Sequence, residues 1–287
     1  MSRDLRLHIA FCLGFSNVGL MLKHKMLKHK KTIPNTSGFS LVELSIVLVI
    51  LGLLAGGILS AQSLIRASQT RSLVTEYNRY SSAMLIFQDK YFAIPGDMSN
   101  AQSFWGVAHA TPGTCVTTVG TGTQTCNGDG NGQIYWTWSS AELFRVWQHL
   151  ANAGLIEGSY TGVQGTAGGA HHVLGVNAPR SRVANSGWGM RWQGFYAGDV
   201  NFLAADYGHV MEFGGVGPAE DDFPNNETLT AGEAWNVDMK LDDGKPHTGV
   251  LINFKNAYRP NCVNATSDAY LLTNSSIGCS LLFVRVI

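Results

Sequence analysis

FSLVELSIVLVILGLLAGGIL, residues 39–59, is the stretch on which the fold of this chain turns. It holds 21 residues and a single charge, Glu43. As a helix rising about 1.5 Å per residue it spans roughly 30 Å, the thickness of a bilayer's hydrocarbon core. Lys23, Lys25, Lys28, Lys30 and Lys31 lie just before it, and loops rich in lysine stay on the cytoplasmic side. An ordinary secretory signal has a shorter apolar run closed by an A-x-A site. Gly56, Gly57, Ser60 and Ala61 supply small residues here without that pattern. The better-placed small pair, Ser37-Gly38, precedes the run, so a cut there leaves the apolar segment on the mature chain.

Beyond residue 59 the pattern becomes amphipathic without a break. Leu73, Tyr77, Tyr80, Met84, Phe87 and Tyr91 recur every three or four residues, with Arg71, Glu76, Arg79 and Asp89 between them. One helix is predicted from residue 40 to residue 92, ended by Ile94-Pro95-Gly96. Its first half, apolar all round, belongs in lipid or in a bundle of like helices. Its second half carries one apolar stripe and belongs against a globular body.

From residue 97 the chain changes character. Gly, Thr, Asn and Ser dominate 106–133, a loop region. Ser139-x-x-Glu142 reads as a capping box opening a helix with Leu143, Val146, Trp147 and Leu150 on one face and Gly154 as its stop. Strand-like runs are expected at His172–Val176, Trp188–Tyr196, His209–Phe213, Val250–Phe254, Tyr270–Thr273 and Leu281–Val286. Thr230-x-x-Glu233 opens a second short helix that runs out at Asp242-Asp243-Gly244. A long N-terminal helix before an antiparallel sheet defines an α+β fold. The expected division is a leader at 1–38, a membrane or assembly helix at 39–60, its amphipathic half at 61–95 and an extracytoplasmic domain at 96–287.

Composition narrows the function. Of 287 residues 45% are hydrophobic and 14% charged, against about 25% charged in an average soluble domain. A disordered, solvating chain needs the opposite balance. Zero net charge argues against a nucleic-acid partner. The charge is nonetheless split: residues 1–38 hold seven Lys/Arg and one acid, and the rest hold 13 Lys/Arg and 19 acids. A basic head on a mildly acidic body is the arrangement of a targeting segment ahead of an exported domain.

Ser37-Gly38-Phe39-Ser40-Leu41-Val42-Glu43 followed by an apolar helix resembles the processing site of type IV pilins and of the pseudopilins of type II secretion. The resemblance implies a prepilin peptidase that cuts between Gly38 and Phe39 and methylates the new amine of Phe39. It places Glu43 fifth in the mature chain, where the family has its glutamate, and Gly52 at a glycine of the apolar half. It implies a structural subunit, not an enzyme, with other pilin or pseudopilin subunits as partners. Such a subunit sits in the inner membrane by one span, its C-terminal domain in the periplasm or on a filament. Glu43 would pair with the Phe39 amine of its own or an adjacent subunit. Lys90-Tyr91, Pro95-Gly96-Asp97 and Ala153-Gly154-Leu155-Ile156 resemble a pilin-like group with large soluble domains. Two features depart from the family. Ser60 stands where many pilins have proline, and the 38-residue leader is long. A start at Met26 would give a leader of thirteen residues, MLKHKKTIPNTSG, and would leave Cys12 out of the product. The alternative reading is a membrane-anchored extracytoplasmic binding protein or adhesin.

The other four cysteines, Cys115, Cys126, Cys262 and Cys279, follow an export signal in even number and read as disulfides. Three connectivities are open; the local pairs Cys115/Cys126 and Cys262/Cys279 are preferred, and the second resembles the C-terminal staple of pilins. No C-x-x-C spacing supports zinc. Asn127-Gly128-Asp129-Gly130-Asn131-Gly132 resembles the first half of a calcium loop, with Asn127, Asp129 and Asn131 as oxygen donors. The acid due at the twelfth position is absent, since Trp138 stands there, and Glu142 lies four residues too far along. A Gly-rich turn tethered by Cys126 is the first expectation and weak calcium binding the second. Asp238, Asp242 and Asp243 read first as a solvated helix end and second as a metal site. His171-His172 lacks the helix and glutamate of H-E-x-x-H, and G-x-S-x-G, P-loop and G-x-G-x-x-G motifs are missing. Trp136, Trp138, Trp147, Trp188 and Trp192 read first as core and second as a sugar-binding face.

Overall fold

The computed structural model describes residues 38–287 apart from 112–113, 116, 136–140 and 218–222. The chain divides into two compact units, Met1–Leu53 and Leu54–Ile287. Helix α1, Leu41–Tyr91, supplies the described part of the first and the start of the second.

In the first unit the helix begins with a capping box that the sequence reading overlooked. Ser40 Oγ accepts the Glu43 backbone N–H at 3.1 Å, and Glu43 Oε2 accepts the Ser40 N–H at 2.8 Å. Two amides that a helix start leaves open are thereby satisfied. The side chains beyond, from Leu41 to Leu53, are exposed, including Ile46, Val47, Ile50 and Leu51. That much unpartnered apolar surface marks lipid or other helices as its surroundings.

In the second unit the stripe read from the sequence is the core face of α1. Leu73, Tyr80, Met84 and Phe87 are buried, and Tyr77 and Tyr91 pack against them. Burying each such side chain stabilises by about 1.5–3 kcal/mol, which explains why the helix ceases to be exposed here. Its partner is a four-stranded antiparallel sheet in the order β1-β4-β8-β6. These strands are β1 (Gly187–Trp192), β4 (His209–Gly214), β6 (Leu251–Ile252) and β8 (Leu281–Phe283). Trp188 pairs with Phe213 and Met190 with Met211, and all four face α1. Tyr77 stacks on Phe283 at 4.3 Å, and Tyr80 meets Trp147 and Trp188 edge-on at 5.3 and 5.6 Å. The other face carries a smaller cluster of Tyr207, Val210, Ile252, Leu282 and Val284. The fold is α+β.

The remaining elements are α2 (Ala101–Trp105), α3 (Glu142–Asn152), β2 (Phe195–Tyr196), β3 (Ala205–Asp206), β5 (Leu229–Thr230), α4 (Ala231–Leu241) and β7 (Ile277–Cys279). Strands β2 and β3 pair with each other, as do β5 and β7. Helix α4 opens with the expected box: Thr230 Oγ1 accepts from Glu233 N, and Glu233 Oε2 accepts from Thr230 N. Helix α3 stops as expected at Gly154, whose φ of +71° suits glycine. There the Gly154 N–H reaches Ala151 O and the Leu155 N–H reaches Leu150 O.

Four expectations are corrected. Helix α3 begins at Glu142 with Ala141 as its cap, so Glu142 is not the third residue of a box; Ser139 lies outside the described residues. Its carboxylate is drawn instead to loop amides. His172–Val176 is a chain of turns with one isolated bridge, Leu174 to Ala178, and Tyr270–Thr273 keeps only the bridge from Tyr270 to Val263. Val173 N is capped by the Asn177 side chain and Tyr270 is turned to Asp238, so neither run is free to extend a ladder. Trp188–Tyr196 is two strands, because Gln193 N and Gly194 N both bond Gly208 O and Gly194 turns to φ +60°.

Candidate functional site

Two regions hold the chemistry anticipated from the sequence. The first is the start of the chain's described part. Gly38 has nothing within 4 Å of the position a Cβ would take, and Phe39 is 87% exposed. Glu43 is committed to the helix start, so it caps one residue past the expected cut. Gly52, Gly56 and Gly57 likewise present open backbone. Ser60 keeps its amide where proline would lose it, and its hydroxyl donates back to Gly56 O at 3.1 Å. Helix α1 accordingly runs through this position unbroken.

The second region is the top of the globular unit, where α3 organises two loops. Cys115 and Cys126 lie at disulfide distance, with Cα atoms 6.0 Å apart, as do Cys262 and Cys279 at 4.9 Å. The loop between Cys115 and Cys126 is held on α3 by polar side chains. Arg145 Nη2 donates to Cys115 O at 2.6 Å, Gln148 Nε2 to Gln124 O at 3.2 Å and Asn152 Nδ2 to Thr123 O at 2.7 Å. Arg145 is fully buried, and burial lowers its pKa to about 10. His149, also fully buried, accepts the Gly96 N–H on Nδ1 at 3.0 Å. Burial, then the Arg145 charge, lowers the His149 pKa to about 3. A neutral imidazole is what a hydrogen-bond acceptor here requires.

Next to this lies the Gly-rich stretch, and only part of the expected oxygen set converges there. Asn127 Oδ1 accepts the Gln102 N–H at the start of α2, and Asn131 Oδ1 accepts the Gln133 N–H. Asp129 instead joins two acids the sequence reading did not assemble. Carboxylate oxygens of Asp97, Asp129 and Glu142 all lie within 4.8 Å of one another. The loop wraps these carboxylates with amides: Asn131 N and Gly132 N donate to Asp97, while Asp129 N and Tyr135 N donate to Glu142. Gly128 permits the wrapping, since a Cβ there would sit 2.3 Å from the Asp97 backbone. Asp97 and Glu142 are buried. Desolvation raises both pKa values, Glu142 to about 7, against the lowering pull of the amides. Three carboxylates with oxygen as the only donor could hold a hard cation. Asp97 carries a sequence signal in Pro95-Gly96-Asp97, which the resemblance to pilin-like proteins with large soluble domains includes without giving it a ligand role.

Other candidates resolve into structural roles. Asp238 is not a solvated helix end: it is buried and accepts from Tyr270 Oη at 2.7 Å, with Asp242 and Asp243 close by. His172 is buried between the rings of Phe144 and Phe223, at 5.0 and 5.5 Å. Trp147 and Trp188 are core, and Trp136 and Trp138 lie outside the described residues.

An exposed apolar helix with an acid near its start, continuing into an α+β domain, defines a protein anchored or assembled through its N-terminus. Residues 33–59 match a family model described as the prokaryotic N-terminal methylation motif. With the long apolar helix that follows, this motif fits the type IV pilin and pseudopilin family, whose members are prepilin peptidase substrates. Neither the curated proteins nor the solved structures give a significant match to the chain.

Proposed function

We propose that the chain is a minor pilin or pseudopilin, a structural subunit of a type IV pilus or type II secretion machine. Prepilin peptidase cuts between Gly38 and Phe39 and methylates Phe39. Residues 39–60 then hold the subunit in the inner membrane, with the body beyond it in the periplasm or on a filament. The observation that carries this reading is the methylation-motif match over 33–59, coincident with an exposed apolar helix. Glu43 supports it further. A carboxylate in an apolar run costs on the order of 3 kcal/mol at the bilayer centre and less near the interface. Its capping bonds to Ser40 offset part of that cost in the precursor, and cleavage adds a cation at Phe39, one helical turn before Glu43. The amine of Phe39, or that of a neighbouring subunit, is then the partner of Glu43.

The carboxylate cluster gives this subunit a place for calcium. Asp97, Asp129 and Glu142 would hold the ion, and its charge would offset the cost of burying two ionised carboxylates. Its role would be to pin the 127–135 loop between the end of α1 and the start of α3.

The processing test is Gly38→Asp in cells carrying a prepilin peptidase. A bulky charge beside the scissile bond should leave the precursor uncut. An intact mass beginning at Phe39 in that variant, or an unmethylated Phe39 in the parent, would refute the assignment.

A further inference from the structure

Two Asn-Gly pairs flank Asp129, namely Asn127-Gly128 and Asn131-Gly132, and the fold treats them in opposite ways. An asparagine followed by glycine can cyclise, because glycine has no side chain to keep its backbone nitrogen from the amide carbon. The reaction is promoted by a base at that N–H, a donor at the amide oxygen and a proton for the departing nitrogen. Around Asn127 the base is missing. The Gly128 N–H goes to Met98 O at 2.9 Å, a carbonyl that takes no proton, and Asn127 Oδ1 is held on the Gln102 N–H at 2.9 Å. Around Asn131 all three groups are in place. The Gly132 N–H donates to Asp97 Oδ2 at 2.9 Å, and a carboxylate is a base. Asn131 Oδ1 accepts the Gln133 N–H at 2.8 Å, a distance at which a backbone amide stabilises an oxyanion. Asn131 Nδ2 donates to Asp129 Oδ2 at 2.8 Å, so the departing nitrogen already touches a second carboxylate.

The bond to Gln133 is an Asx turn, which folds the Asn131 side chain back along its own following peptide. Asn131 and Gly132 are exposed, and nothing lies within 4 Å of the position a Gly132 Cβ would take, which leaves room for a ring and for water. We propose that Asn131 is a self-modification site, converted to aspartate or isoaspartate by the carboxylates of its own loop. Asp97 takes the Gly132 proton as that nitrogen forms a bond to Asn131 Cγ, and the Gln133 N–H holds the oxyanion. The proton passes from Asp97 to Asp129, whose oxygens lie within 4.8 Å. Asp129 delivers it to Nδ2, the Cγ–Nδ2 bond breaks and ammonia leaves. Water then opens the succinimide at either carbonyl, so the sum is amide plus water to carboxylic acid plus ammonia. The loop thereby gains a fourth acid beside Asp97, Asp129 and Glu142, and its negative charge rises with the age of the subunit.

The test follows both Asn-Gly peptides by mass spectrometry in the mature full chain, held in detergent at neutral pH. Chelator is present throughout, so this proposal and the calcium reading fail separately. The same chain unfolded in guanidinium chloride is the reference, where neither asparagine has a positioned base. In the folded chain Asn131 should gain the mass of amide-to-acid conversion at least about tenfold faster than in the reference, a modest demand on a positioned acid and base. Asn127 should convert more slowly than in the reference. Asp97→Asn keeps an oxygen for the Gly132 N–H but removes the base, and should return Asn131 to the reference rate or below it. An Asn131 that converts no faster folded than unfolded would overturn the proposal, because the loop would then protect the amide. A parental rate in a folded Asp97→Asn would overturn it as well. Asn127 reports the state of that variant: conversion there at the reference rate means the variant has unfolded, and the parental comparison then decides alone.

Discussion

Glu76→Ala should loosen α1 from the sheet more than any other single polar change on the helix. The carboxylate is 8% exposed, and both oxygens are in use. Oε2 accepts the indole N–H of Trp188 at 2.8 Å, and Oε1 accepts the backbone N–H of Arg182 at 3.1 Å. Trp188 is fully buried, ringed by Tyr80, Phe213 and Phe283 at 5.0–5.6 Å, so its N–H has no route to water without disturbing that cluster. Hydrogen bonds to a charged acceptor contribute about 1.5–3 kcal/mol each, and a stranded buried donor costs about 1–3 kcal/mol. The Arg182 N–H is only partly buried and recovers some of its loss from solvent. The expected total is about 3–5 kcal/mol. At about 2–4 °C per kcal/mol for a body of this size, the melting temperature should fall by about 10 °C. Glu76→Gln keeps one acceptor and should lose about half as much. Equilibrium denaturation followed by tryptophan fluorescence reports the change as a lower midpoint at unchanged slope. A loss below about 1 kcal/mol for the alanine variant would refute the claim that this carboxylate ties the helix to the sheet.

Glu43→Ala removes a charge from the apolar run, so membrane insertion should be unimpaired while incorporation into an assembled filament falls. Assembly at the parental level, measured as sheared filament yield, would count against pairing with the Phe39 amine. Calcium should raise the melting temperature of the mature chain by about 5–10 °C at a hundredfold excess over its dissociation constant, a linkage of about 2.7 kcal/mol. Asp129→Ala and Glu142→Gln should each lose that response, and identical parental melts in calcium and chelator would leave the loop a structural turn. His149 gives a pH dependence of definite sign. Its folded pKa of about 3 lies below the unfolded value of about 6.5, so its contribution is complete above pH 6.5 and is lost as the pH falls toward 3. Relative to His149→Gln, which accepts the Gly96 N–H without titrating, the parent should lose about 3 kcal/mol between pH 6.5 and 4, measured by denaturant midpoints. The comparison cancels Glu142, whose raised pKa acts in the opposite direction over the same range.

What the sequence determined by itself is whatever depends on neighbours along the chain. The span of α1, its exposed and buried halves, the stop at Gly154 and the capping box at Thr230 all follow from spacings of three or four residues. The resemblance at Gly38, Phe39 and Glu43 is of the same kind, being a short motif joined to an apolar run. Tertiary structure decided the rest. Seen along the chain, Asp97 is one residue of a pilin-like Pro-Gly-Asp turn, Asp129 part of a half-formed calcium loop and Glu142 one arm of a capping box. They meet because α1 and α3 pack through Phe87 and His149, whose rings stack at 6.3 Å, and because Gly128 lets the loop lie against Asp97. Glu142 left its expected box for the amides of Asp129 and Tyr135 because a fully buried carboxylate must take whatever donors the packing brings. Strand-like runs at His172 and Tyr270 failed for a related reason. β-propensity describes a half-buried pleated surface, and whether a ladder partner is there is settled by residues far away in sequence.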